Sequence, residues 1–485
     1  MSSRSTQATH ASESAGLLHP FDVLHVVHTY LPDTLGGTEI YAKSLAAEQI
    51  KLGLNCAIAA PGARNEDYEI DGLKVARVAA ALSTDQLYGA PNPDAQARWQ
   101  HVLTALHPKI LHVHARMPML SSQTLDFARS LGCKIIYTTH TPSAFCARGT
   151  MMEFGTAVCD GKLEKSRCAH CVLQNLGAPK LLANLANALP HSVARSLTTA
   201  LPQKASTLLL MPQRMQRSLR ECHDFFASCD HIIAVCDWIH RALLLNGVAA
   251  EKLSLNRQGL RSDIEVREPA QRPVNQPSAP LRVLALGRAD PHKGFNVLIA
   301  AINSCKSDVQ LDLALAFGND DIAGKALADA LKQQAQSSVT LGSARVRIHC
   351  NVQGIALTQL FAEADLLAAP STGLETGPLV ILEGYSQGLP AIGSDRGGIA
   401  ELIQDCQNGW LVEPGNIAAW QNKLDQLAQN RELLINARNK IGPVRKMQDV
   451  AQEHLGIYQR VLGQSFGEPK LSTKHEPTPP SAHST

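Results

Sequence analysis

Short runs of β-branched and other apolar residues alternate along most of the chain with longer stretches of helical period, a rhythm that predicts parallel sheets built from βαβ units. "FDVLHVV" (21–27) reads as a buried strand, "LPDTLGG" as a loop, and "TEIYAKSLAAEQIKLG" as a helix ending at Gly53. Further strands are expected at "NCAIAAP", "KILHVHA", "CKIIYTTH" and "HIIAVCD", and "YEIDGLKVARV" predicts a hairpin turning at Asp71-Gly72. The segment 266–280, "VREPAQRPVNQPSAP", breaks the rhythm with four prolines and is read as a linker. "LRVLALGRADPHKGFNVLIAAI" then opens a second strand–loop–helix series, continued by "LDLALAFG", "VRIHC", "ADLLAAP", "PAIGS" and "GWLVEP".

The fold class expected is therefore α/β, with two Rossmann-like domains facing each other across a cleft, where ligands of such folds bind. The boundaries are 1–19 for a disordered arm, 20–265 for the first domain, 266–280 for the linker and 281–442 for the second domain. A helix at 443–465 and a disordered tail at 466–485 complete the chain, and 176–222 reads as a helical insertion in the first domain.

A length of 485 residues fits two or three domains, and 45% hydrophobic content with 18% charged residues fits globular packing. A net charge of +2 supplies no polyanion footprint, so no nucleic-acid partner is expected. No segment approaches the roughly 20 apolar residues of a membrane helix. The polar first nineteen residues lack the apolar region of a secretory signal. With twelve scattered cysteines this points to a reducing compartment, the cytoplasm, with peripheral contact to the inner membrane face left open.

Candidate chemistry is densest in "STGLETGPLVILEGYSQGLPAIGSDRGGIAE" (371–401). Pro378 suits a first helical turn and Gly388 an end, so a helix is expected at roughly 378–387. Its start would offer the amides of Gly377, Leu379 and Val380 to a phosphate, with Glu375 and Glu383 accepting hydrogen bonds from sugar hydroxyls on either side. The plain alternative makes Glu375 a cap and Glu383 a solvated helix position. In "GRADPHKG" (287–294), Arg288 and Lys293 are cations suited to phosphate oxygens. In "LGGTEIY" (35–41), Gly36 and Gly37 allow backbone amides to approach a ligand, although alone they are only a turn.

Gly-Gly-x-Glu, Gly-Arg-x4-Lys-Gly, Glu-x7-Glu and "GGIAELI", in that order, resemble the retaining glycosyltransferases of family 4, with the two-Rossmann (GT-B) fold. The resemblance covers roughly residues 20–462 and includes "NGWLVEPGN" (408–416). It implies a UDP-, GDP- or ADP-sugar donor, a glycan or lipid-linked acceptor, and no catalytic metal. By position, Arg288 and Lys293 would hold the diphosphate, Glu383 the ribose and Glu375 the transferred sugar. Gly377, Pro378, Leu379 and Val380 would face the sugar or phosphate, and Gly36 and Gly37 the phosphate from the first domain. The backbone near Val352 would read the base, and His140 would meet the donor sugar. Glutamates committed to hydroxyls leave no nucleophile, so the resemblance implies front-face displacement, with the leaving diphosphate helping to deprotonate the acceptor. The segment "ETGP" departs from the family's Glu-x-Phe-Gly, "NRQGL" from its Asn-Gly with Arg257 as an added cation, and "FGND" from its Gly-x-Gly. A two-Rossmann epimerase or hydrolase and a non-catalytic sugar-nucleotide binder are the rival readings.

His112 and His114 alternate in "LHVHA" and share one sheet face, for which a structural role is expected. Cys146, Cys159, Cys168 and Cys171, spaced C-x12-C-x8-C-x2-C in a loop-like stretch, suit a structural zinc. An iron–sulfur cluster or free thiols are the alternatives. The other eight cysteines sit in strand or helix patterns as small core residues.

Overall fold

The computed structural model describes residues 21–33, 36–198, 201–267, 279–318, 321–336, 345–464 and 466. The expected arm, most of the expected linker, all of the tail but Phe466 and part of "FGND" lie outside these residues.

Strands of the first half are β1 (Phe21–Val26), β2 (Cys56–Pro61), β3 (Glu66–Ile70), β4 (Leu73–Val78), β5 (Pro108–Val113), β6 (Lys134–Thr139), β7 (Met152–Glu153), β8 (Ala157–Val158), β9 (His231–Ala234) and β10 (Leu253–Leu255). All but β7 and β8 form one eight-stranded sheet in the order β10-β9-β6-β5-β1-β2-β4-β3. It is parallel except where β3 turns antiparallel onto β4. That hairpin turns at Asp71 and Gly72, whose φ values of 52° and 74° are the left-handed pair a two-residue turn needs. Most of these strands are apolar on both faces because helices cover both sides.

The second half contributes β11 (Leu281–Arg288), β12 (Val309–Ala316), β13 (Val346–Cys350), β14 (Leu366–Ala369), β15 (Ala391–Ser394) and β16 (Gly409–Val412). They form a parallel six-stranded sheet in the order β13-β12-β11-β14-β15-β16. Strand order reverses at β1 in one sheet and at β11 in the other, so the loops leaving their carboxyl ends diverge and open a crevice. Because β11 pairs directly with β14, the segments after Arg288 and after Ala369 emerge side by side.

Two expectations are corrected here. Helices occupy Lys165–Asn175, Lys180–Ala188, His191–Thr198 and Gln203–Ser228, so the helical region begins before residue 176 and runs past 222. Consequently Cys168 and Cys171 lie on a helix, not in a loop; its buried Ala169, Val172 and Leu173 carry a helical period masked by cysteine and charge. Finally, the helix Met447–Leu462 crosses to the first half, where Met447, Val450 and Ala451 pack on Tyr41 and Leu45 of the helix Gly37–Lys51.

Candidate active site

The adjacency of β11 and β14 decides the centre of the site. Gly294 takes φ 68°, and a Cβ there would stand 2.1 Å from the Pro370 carbonyl, so only glycine lets the two loops touch. His292 O accepts from Thr372 N at 2.9 Å, which fixes the approach. Lys293 Nζ then reaches Glu375 Oε1 at 2.7 Å, and Ser371 Oγ donates to the same oxygen at 2.8 Å. Burial by itself would raise the Glu375 carboxyl. The Lys293 charge and hydrogen bond, the Ser371 hydroxyl and the nearby Arg288 charge together hold it below the ordinary range. Arg288 is 65% exposed and 4.0 Å from Asp290, so its guanidinium remains available to solvent.

The following backbone is held from below. Gly398 N donates to Glu375 O at 2.8 Å, and a Cβ on Gly398 would fall 2.2 Å from Gly377 N. The Gly397-Gly398 pair is thus the seat of the Glu375–Gly377 loop. Gly377 itself takes φ 106°, Pro378 caps the helix Leu379–Ser386, and the Leu379 and Val380 amides precede its hydrogen-bond ladder. The helix is a residue shorter at each end than the expected 378–387. Glu383, on its second turn, is half-buried. Burial raises its carboxyl above the ordinary range, opposed by Arg261 and reinforced by Asp263. A solvated helix position would not do this.

The first half grips the same loop. Thr376 Oγ1 donates to His140 O at 2.8 Å, Trp238 Nε1 donates to Glu375 O at 2.8 Å, and Leu374 joins the first half's core. Glu401 accepts from Asp237 N at 2.8 Å and Trp238 N at 3.2 Å, capping the helix Asp237–Leu245, and pairs with Arg257 at 2.6 Å. Arg257 also meets Asp237 at 2.6 Å, so the cation expected near the cleft is matched by two carboxylates. Glu401, Trp238, Thr376 and Ser371 had no site role in the sequence reading; the contacts of the first three span sequence separations above 130 residues and leave no local pattern, whereas Ser371 sits only four residues before Glu375.

Gly36 caps the helix Gly37–Lys51, and the Glu39 carboxylate accepts from Gly36 N at 3.0 Å, as the helix's own cap. Among the described residues no hydrogen bond joins Gly36 or Gly37 to the Lys293–Glu375 pair. Val352 follows the edge strand β13 and is half-buried.

His140, which follows β6, is 4% exposed. It ends a buried chain of polar groups. Gln49 Oε1 meets His25 Nε2 at 2.8 Å, His25 Nδ1 meets His114 Nε2 at 2.9 Å, and His114 Nδ1 meets His140 Nε2 at 3.1 Å. Gln49 Nε2 donates at 3.0 Å to Tyr458 OH, which lies 2.6 Å from His112 Nδ1, and His112 Nε2 lies 2.7 Å from Thr138 Oγ1. Burial pushes His25 and His140 down to about 3 and His112 and His114 well below the ordinary histidine value, so all four are neutral. Neutral rings have one N–H each. With the Gln49 oxygen accepting, every ring donates from Nε2 and accepts at Nδ1 along the chain, leaving His140 Nδ1 an acceptor. That atom is buried and has no protein partner. His25, His112 and His114 bring ligand atoms within 4.8 Å, yet each ring nitrogen already has a protein partner. A polar residue interrupting each of "FDVLHVV" and "LHVHA" was the available signal.

Cys146, Cys159, Cys168 and Cys171 line one cavity of about 30 Å³ with Arg148, Glu153 and Arg167. None is in a disulfide. Cys168 and Cys171 lie one turn apart on Lys165–Asn175, and Cys171 Sγ accepts from Phe154 N at 3.3 Å and Arg148 Nη1 at 3.5 Å. No three of the sulfurs lie mutually within 4.8 Å. Arg396 of the second half donates to Thr372 O and touches Met152 Sδ at 3.8 Å, so the cysteine module borders the Glu375 loop. No described helix is long and apolar enough to cross a membrane.

Residues 266–443 match the family described as Glycosyl transferases group 1, and residues 35–163 match Glycosyltransferase Family 4. The amylovoran biosynthesis glycosyltransferase AmsK of Erwinia amylovora is 24% identical over 216 residues, covering 42% of this chain and 49% of AmsK. The phosphatidyl-myo-inositol mannosyltransferase of Mycobacterium leprae is 31% identical over 152 residues, covering 30% of this chain and 37% of that protein. The chain thus spans half or less of the length of these curated relatives. Among solved structures, Thermosynechococcus elongatus sucrose-phosphate synthase superposes with a TM-score of 0.62 at 17% identity, covering 91% of this chain and 99% of that one. Anabaena HepE in complex with UDP and glucose gives 0.55 at 15% identity, covering 91% and 100%. These two likenesses establish a common fold.

Proposed function

The chain belongs to the family 4 glycosyltransferases, and on that premise we propose that it moves a hexose-type sugar from a nucleotide diphosphate donor to a glycan or lipid-linked acceptor, with retention at the anomeric carbon. The observation that carries this reading is the Lys293–Glu375 pair, 2.7 Å apart, beside Arg288 at the joined carboxyl ends of β11 and β14. A cation cluster next to the start of the helix Leu379–Ser386 suits a pyrophosphate.

In the proposed reaction the bond from the anomeric carbon to the diphosphate oxygen breaks, and the acceptor oxygen bonds to that carbon on the same face. The acceptor's proton passes to an oxygen of the leaving diphosphate. Arg288, Lys293 and the helix-start amides stabilise the charge that gathers there. Glu375 and Glu383 accept hydrogen bonds from the transferred sugar and the ribose. His140 accepts one at Nδ1, its unpartnered atom. The donor is a UDP-, GDP- or ADP-sugar; HepE, of the same fold, has been solved with UDP-glucose.

The cysteine module supplies four thiols around one cavity and two N–H donors to Cys171, ligand types that suit a tetrahedral thiolate site, which would require the sulfurs to draw closer together than they stand here. Zinc there would tie Cys146 and Cys159 to the helix Lys165–Asn175 and stabilise the fold. Cys168→Ser should lose bound zinc and melt earlier. A variant that keeps both metal and melting temperature would reject the site, and an iron–sulfur absorption band would replace zinc.

A nucleotide-release screen over UDP-, GDP- and ADP-sugars with an acceptor panel tests the main reading. Nucleotide release matched mole for mole by a sugar–acceptor adduct is expected, with Lys293→Ala slower by about 10²–10³-fold. Isomerised or hydrolysed donor without an adduct would sink it.

A further inference from the structure

The helices Lys180–Ala188 and His191–Thr198 are amphipathic in the wrong sense for a soluble surface. Their small residues Ala183, Ala186 and Ala194 are fully buried, the first two packed with Met211 and Met215 of the helix Gln203–Ser228. Their large apolar residues face outward: Leu181 is 80% exposed, Leu185 58%, Leu182 45%, Leu197 45% and Val193 44%. Single exposed leucines are ordinary, but five on two consecutive helices form a feature that water disfavours. Turning either helix to bury its leucines would have gained apolar burial, so its present orientation implies something else covers them.

Charge identifies the cover. Between Glu164 and Glu221 the sequence holds no Asp or Glu, against eight Lys and Arg. Arg167 is engaged by Glu153 and Asp160, and Arg214 and Arg217 by Asp85. Lys180 and Arg195 are exposed on the two helices themselves. A second copy docking here by two-fold symmetry would set basic surface against basic surface. A bilayer with anionic headgroups answers both properties, taking leucines at the acyl boundary and lysine or arginine at the phosphates. At 9 and 8 residues neither helix can span a membrane, so both would lie flat in the interface.

We propose that the outward face of Lys180–Ala188 and His191–Thr198 is a docking surface for an anionic lipid bilayer. The inference stands apart from the transferase reading and needs no donor. It also has a spatial consequence: Lys180–Ala188 packs on Lys165–Asn175, which carries Cys168 and Cys171, so docking would bring the cysteine module and the loop it borders down to the lipid surface.

The test uses the full chain with two vesicle preparations, phosphatidylcholine alone and phosphatidylcholine with phosphatidylglycerol. Co-sedimentation with the anionic vesicles is expected, weaker with neutral ones and reduced by high salt. Leu181→Asp with Leu185→Asp should lower partitioning at least about tenfold, with an unchanged melting temperature because both sites are exposed. Lys180→Gln with Arg195→Gln should remove the anionic preference. Three results would overturn the proposal. Wild-type protein could ignore both vesicles, or the leucine variant could bind as well as wild type. Alternatively, sedimentation velocity could show a dimer that the leucine variant dissolves, making a second copy the cover. Donor turnover with a soluble acceptor should be unaffected by either variant, which separates this outcome from failure of the site reading.

Discussion

Glu375 and Glu383 stand eight positions apart, and their surroundings push them in opposite directions. Burial disfavours both anions, but only Glu375 has a lysine at 2.7 Å to reverse the effect. A carboxyl lowered on folding adds stability above its unfolded value of about 4.3 and loses it as pH falls through the folded value. Glu375→Gln should therefore melt earlier at neutral pH, and the gap should close below about pH 4. A carboxyl raised on folding has the opposite sign: its stability is present below the unfolded value and lost as pH rises through the folded one. Glu383→Gln should therefore melt later than wild type at pH 7.5, by a gap that also closes in acid, while donor binding weakens. Parallel melting curves against pH check both; a Glu383→Gln variant that melts earlier at pH 7.5 would contradict the half-buried carboxyl raised above its ordinary range. Both residues were legible in the sequence as candidates. Their opposite environments were not, because Lys293, Arg261 and Asp263 come from two other segments.

At the scale of elements, the Glu375–Gly377 loop rests on backbone, not on side chains. A methyl group on Gly398 would meet Gly377 N at 2.2 Å and Thr376 C at 2.5 Å, and neither atom belongs to a movable side chain. Gly398→Ala should cost about 3 kcal/mol in urea denaturation, and a loss below about 0.5 kcal/mol would mean the loop can lift away. The histidine chain is an element of another kind, joining β1, β5, β6, the helix Gly37–Lys51 and the helix Met447–Leu462. Its direction depends on Gln49, whose oxygen also receives the Cys56 thiol at 3.6 Å. Nitrogen-15 spectra of the imidazoles should show His140 protonated at Nε2 and bare at Nδ1 in the wild type. Gln49→Leu should mix the two tautomers, and a wild-type signal for protonated Nδ1 would mean that the chain runs the other way. The strand rhythm foretold β1, β5 and β6 to within a residue or two. It could not foretell that their histidines meet, since the register His25↔His112 is a property of strand pairing.

For the whole molecule, contact between the halves passes through Glu401, which caps a first-half helix and pairs with Arg257 while sitting on a second-half helix of six residues. Glu401→Ala should loosen the halves. A larger radius of gyration in solution scattering and a donor KM raised by about tenfold are expected, with little change in either domain's own melting. Unchanged scattering and KM would assign the closure to other contacts.

The sequence by itself determined the alternation of strands and helices, the two sheets, the hairpin at Asp71-Gly72 and the cations and carboxylates of the site. Those features follow from local periodicity, turn chemistry and short motifs, all written within a few residues. Tertiary structure alone decided that β11 lies beside β14, so that Lys293 meets Glu375, and that Gly398 seats the loop. It also decided which face of Lys180–Ala188 turns outward, because its leucines and alanines all read as apolar positions along the chain and only packing shows that the alanines are the ones turned inward.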